Sequence, residues 1–161
     1  MQDNSLNMEL DKIDFNILKI LQENGRITNL QLSQYIGLSP APTLERVRKL
    51  EHSGYIKSYH ALVDEEKLGL GIKTFIQVSL DFHQQDTIQT FLDEIKEIKE
   101  ITECHHVTGQ CDFLLKAYVK DIKTYEQLIM QKISRITVVK TFHTMMIMST
   151  SKKEPIIPLE Y

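Results

Sequence analysis

Apolar residues along this chain switch between two spacings. From Leu10 to about residue 53 they recur every three or four positions, and from Lys73 to Phe82 they alternate with polar ones. Ile13, Ile17, Ile20 and Leu21 form one helical stripe, with Asp11 as N-cap, Asp14 near the positive helix end and Asn24-Gly25 as the stop. Thr28-Asn29-Leu30-Gln31 reads as a capping box, and Gly37 ends that shorter helix. Ser39 is placed to cap a third helix, and Pro40 suits its first position, where the missing N–H costs nothing. Leu44, Val47 and Leu50 are expected to be its apolar stripe, with Ala41, Pro42, Glu45, Arg46 and Lys49 on the other side and Gly54 as the stop. Two helices joined by Gly37-Leu38-Ser39, within three, have the sequence form of a helix-turn-helix. Tyr55 to Val63 is rich in β-formers and is expected to be a strand or wing.

Beyond Asp64–Gly71, a charged stretch with two glycines, the period becomes that of a strand. Its Leu68-Gly69-Leu70-Gly71 lacks the Lys-Ser/Thr ending of a phosphate loop. Ile76, Val78, Leu80 and Phe82 share one face, and Gln77, Ser79 and Asp81 the other. Residues 87–99 and 121–136 read as amphipathic helices, and 101–108, 112–119 and 138–148 as strands. The order βαββαβ is that of the ferredoxin-like fold. The fold class is therefore α+β: a winged helix-turn-helix over 1–63, a linker over 64–72, a βαββαβ sensing and assembly domain over 73–148, and a tail over 149–161. Both helices of such a domain cover one sheet face, so the other face predicts a homodimer. The polar stretch Met1–Met8 is expected to be frayed.

Composition narrows the classes. A net charge of −3 over 161 residues gives no global basic field, so nucleic-acid binding must come from a local patch presented more than once. Two cysteines make no disulfide framework, no apolar run reaches the ~20 residues of a membrane span, and no signal peptide opens the chain. A cytoplasmic protein is the expectation.

Leu10-Asp11-Lys12-Ile13-Asp14, Gly37-Leu38-Ser39-Pro40, Leu44 through Glu51, Gly54-Tyr55-Ile56 and Glu103-Cys104-His105 through Leu114 carry a resemblance. On these stretches the chain resembles the Lrp/AsnC, or feast/famine, family of transcriptional regulators, nearest its leucine-responsive branch. The resemblance implies double-stranded DNA as partner, a small amino-acid effector, no other cofactor, and dimers that assemble further, to an octamer. Ala41, Thr43, Gln110-Cys111 and His143 depart from that branch, which leaves operator and effector open.

With the family in view, Ser39, Pro42, Thr43 and Arg46 are placed near base edges, and Arg48, Lys49 and Lys57 nearer phosphates. Arg46 is the sharpest of these, because one guanidinium can hold O6 and N7 of guanine. The effector is assigned to the hairpin Thr108-Gly109-Gln110-Cys111-Asp112. Gly109 permits a positive φ, so neighbouring N–H groups can receive a carboxylate, and Asp112 would receive the ammonium. Thr141 and His143 are weaker candidates, from a neighbouring subunit. A metal at Cys104, His105, His106 and Cys111 is disfavoured, because strand alternation turns His105 away from Cys104 and His106. Cys104 is expected to pack as a small apolar group, and Met145, Met146 and Met148 to pack in the sheet. No nucleophile–base pair or phosphate loop supports an enzyme; a regulatory subunit of one, or a pure amino-acid sensor, is the alternative.

Overall fold

Asp11 and Asp14 close the start of α1 (Lys12–Glu23) by capping each other's backbone. Asp11 Oδ1 accepts from the Ile13 and Asp14 N–H groups at 2.8 and 2.9 Å, and Asp14 Oδ2 accepts from the Asp11 N–H at 3.2 Å. These contacts are seen in a computed structural model that describes residues 9–81 and 85–161. The stretch Met1–Met8 and the position of Phe82 lie outside the described residues.

Thr28 and Gln31 make the capping box of α2 (Asn29–Ile36), which Gly37 ends at φ +73°. In α3 (Pro40–His52) the cap differs from expectation. Ser39 has extended backbone but makes no side-chain cap bond; its carbonyl instead accepts from the Thr43 N–H and Oγ1, at 3.3 and 2.9 Å. Ile17, Leu32 and Leu50 are the fully buried centre of the tri-helical core, with Ile13, Ile20, Leu21, Ile36, Val47 and Ile56 around them. The expected stripe on α3 is off by one position. Thr43 is completely buried and Leu44 is 39% exposed, because a face through Leu50 and Val47 continues to Thr43, seven residues before Leu50.

Residues 57–64 form no regular structure, which corrects the expected strand over 55–63. A strand exists only where its N–H and C=O groups meet a second strand. Here Tyr59 holds the segment to α3 instead, its hydroxyl donating to Glu51 Oε1 at 3.0 Å. Residues 152–161, expected only as a tail, belong to the same compact unit as residues up to 62. The Ile157 N–H donates to Gln22 Oε1 at 2.7 Å, Gln22 Nε2 donates back to the Ile157 carbonyl at 3.2 Å, and Tyr161 meets the Phe15 ring edge-on at 5.3 Å. Between α1, residues 55–62 and this segment runs a groove of about 840 Å³, lined by Leu18, Leu21, Tyr55, Tyr59, Ile157 and Leu159.

The second unit, residues 63–151, is a four-stranded antiparallel sheet in the order β2-β3-β1-β4. Its elements are β1 (Ile72–Leu80), α4 (Gln85–Lys96), β2 (Ile101–His106), β3 (Phe113–Val119), α5 (Ile122–Gln127) and β4 (Val139–Met146). α5 continues through a π turn over Leu128–Lys132 and a tighter turn over Ile133–Arg135. Thr74, Ile76, Val78 and Leu80 alternate inward on β1, and Phe113, Leu115, Ala117 and Val119 do so on β3. They form one core with Phe91, Ile95 and Ile98 on the α4 side and Leu128, Ile129, Ile133 and Ile136 on the α5 side. Cys104 opposes Leu115 and joins this face, and the His106 ring stacks on Phe113 at 4.8 Å. The opposite face carries Phe75, Gln77, Leu114, Lys116, Tyr118, His143 and Met145, by cross-strand pairing. The methionines depart from expectation. β4 is an edge strand, Met145 and Met146 are exposed, and Met148, past its end, is 93% exposed.

Candidate DNA-reading helix and effector hairpin

Arg46 leaves the middle of α3 and reaches the N-terminus of α1. Its Nη1 lies 2.8 Å from Asp11 Oδ2 and 2.7 Å from Asp14 Oδ1, and Asp14 is nearly fully buried. The Asp14 N–H first, and then Arg46, hold the Asp11 carboxyl below the usual range, and the two aspartates hold Arg46 charged. One guanidinium thus joins two helices through residues that also cap one of them. This argues against Arg46 at a base edge: its Nη1 is engaged within the unit, although the side chain keeps 31% of its exposure. Thr43 is corrected outright, since a fully buried side chain whose hydroxyl donates to Ser39 meets no base.

The remaining candidates are differently placed. Ser39 is exposed in the turn and Pro42 half-buried in the first turn of α3. Arg48 and Lys49 are exposed along α3, and Lys57 is exposed just beyond it. Asn29 Nδ2 donates to the Pro40 carbonyl at 2.8 Å and fixes the start of α3 against the start of α2. α3 is therefore held at both ends and in the middle, with Ala41, Leu44, Arg48 and Lys49 outermost. The periodicity alone puts Leu44 on the inward face, one position from the buried Thr43. The Asp11-x-x-Asp14 spacing was legible as a cap, but its third partner lies 35 residues from Asp11.

On the sheet unit, Thr108, Gly109 and Gln110 form an exposed connection between β2 and β3, with Gly109 at φ +127°. Asp112 has a structural task. Its Oδ2 accepts from the Leu80 N–H at 2.8 Å, its N–H donates to the Val78 carbonyl at 2.9 Å, and its carbonyl accepts from the Val107 N–H at 2.9 Å. Through Oδ2 and its backbone it pins the hairpin to the end of β1. Thr141 pairs with Ser79 and His143 with Gln77, on the far side of β1 from Asp112. Two strand spacings, about 10 Å, separate them in the sheet, so the six effector candidates do not converge within one chain. Among the described residues no cluster of three His, Cys, Asp or Glu could hold a metal. His105 turns away from Cys104 and meets Glu103 at 3.2 Å.

A winged helix-turn-helix DNA-binding family model matches residues 10–57, and the Lrp/AsnC ligand binding domain matches residues 73–157, more than half of the chain. The chain belongs to the Lrp/AsnC family. The leucine-responsive regulatory proteins of Klebsiella pneumoniae and Escherichia coli are each 39% identical to it over 145 residues, 90% of this chain and 88% of theirs. Among solved structures, the transcriptional regulator NMB0573 of Neisseria meningitidis in complex with L-Met superposes with a TM-score of 0.89 at 33% identity, over 93% of this chain and 97% of that one. An AsnC family regulator of Agrobacterium tumefaciens gives 0.87 at 27%, over 92% and 97%. As a member of the Lrp/AsnC family, the chain is a DNA-binding transcriptional regulator and not an enzyme.

Proposed function

We propose that this regulator answers to a small amino acid, and that the amino acid acts by changing how copies of the chain assemble on DNA. The observation that carries the reading is the division of labour on α3: its inward side is locked by Arg46, Thr43 and Leu50, which leaves Arg48 and Lys49 outward for phosphates. A chain of net charge −3 gains DNA affinity by presenting that helix more than once. The sheet face bearing Phe75, Leu114, Tyr118 and Met145 supports a two-fold homodimer, and dimers would gather into larger assemblies, an octamer among them. The Gly109–Asp112 hairpin, with Thr141 and His143 of a neighbouring copy, is our choice for the effector, and it needs no other cofactor. Leucine and L-methionine, named for the relatives, are the first amino acids to try. Cytoplasm is the compartment we assign; among the described residues no helix is long and apolar enough to cross a membrane.

Sedimentation and gel-shift assays, run with and without each amino acid, test this. The expected result is one amino acid that shifts the oligomer distribution and the DNA affinity together, by about 1–3 kcal/mol of coupling. A chain that stays monomeric at micromolar concentration, or whose assembly ignores every amino acid, refutes the proposal.

A further inference from the structure

α3 offers solvent a ridge that its apolar periodicity did not single out. Ala41, Leu44 and Arg48 are all exposed and stand at spacings of three and four, so they share one side of the helix. Thr43 and Leu50 turn away from this side, half-buried Val47 lies between the two, and Arg46 is drawn onto α1. Leu44 lies outside the core cluster, 39% exposed, between a small residue that allows close approach and an arginine one turn further on.

We infer that Leu44 reads thymine through its C5-methyl group in the major groove, with Arg48 anchoring the same ridge to the neighbouring base or phosphate. The inference rests on α3 being the helix that enters the groove, and it adds the base feature that is read. A leucine side chain has no hydrogen-bonding group, and thymine's methyl is the one apolar group on the major-groove edges. The exposed cations Arg48 and Lys49 beside Leu44 favour a polyanion over an apolar protein partner on this face.

The test uses the full-length chain and a duplex that it selects from a random-sequence library. Each thymine of the selected site is replaced in turn by 2′-deoxyuridine, which pairs identically but lacks the methyl. Binding should fall roughly fourfold at one position in each half-site, the equivalent of about 0.8 kcal/mol for one buried methylene-sized group. Leu44→Ala should bind the thymine and uridine duplexes equally, with the melting temperature and the salt dependence of the parent. Sequence-specific binding that is indifferent to every uridine, or a Leu44→Ala chain that still discriminates, overturns the assignment of Leu44 alone. Failure to select any sequence overturns the reading of α3 as well.

Discussion

Arg46 is the residue on which the DNA-binding unit turns. Removing its guanidinium leaves Asp14 buried beside Asp11 with no cation, a larger loss than that of an exposed ion pair. Arg46→Ala is therefore expected to destabilise the helical unit by about 2 kcal/mol in urea unfolding. It should weaken binding to all DNA sequences alike, because α3 loses its seat and not a base contact. A change of base preference at a single position, with stability unaltered, would return Arg46 to the base edge. The same cluster sets a pH dependence. Asp11 titrates lower in the folded chain than in the unfolded one, so its contribution is complete above the ordinary carboxylate value near 3.8. That contribution is lost as pH falls through the lower folded value. Asp11→Asn should thus narrow the stability difference between neutral and strongly acid solution, measured by thermal melts across that range.

At the scale of elements, the β2–β3 hairpin separates backbone demand from side-chain chemistry. A Cβ on Gly109 would meet nothing within 4 Å, so Gly109→Ala is resisted only by the positive φ. The expected cost is about 1–2 kcal/mol, read from the unfolding of the sheet unit. Asp112→Asn keeps an oxygen for the Leu80 N–H while removing the charge. The fold and basal DNA binding should survive, at a cost of about 1 kcal/mol, and the amino-acid response should vanish. A full response from that variant would place the ligand elsewhere. These elements also show what the sequence could disclose. The alternation through Ile76, Val78 and Leu80, and the capping boxes at Asp11 and Thr28, are local patterns that hold whatever packs against them. The face of α3, the unpaired segment after it and the Leu80 bond of Asp112 depend on partners far along the chain. Periodicity counts Leu44 as inside because a threonine gives no apolar signal, whereas the packing of α1 and α2 buries Thr43 instead. Most of the proposed site residues were thereby legible as a helix and a hairpin, and their individual roles were not.

At the scale of the whole molecule, the chain passes between its two compact units twice, near residue 62 and again near residue 151. Deleting residues 152–161 removes the paired Gln22–Ile157 bonds and the Tyr161–Phe15 contact. The helical unit should lose about 1–2 kcal/mol, and the unfolding of the sheet unit should be unchanged. Gln22→Ala should reproduce much of that loss; equal stability of the truncated and full chains would show the segment to be a passenger. This discontinuity has a consequence for synthesis. A ribosome makes the three helices first and the whole sheet next, and only then the residues that pair with Gln22. Until the sheet unit has been made, the nascent helical unit lacks the segment that lines one side of its groove. A nascent regulator is thus kept from its final form until the part that will govern it already exists.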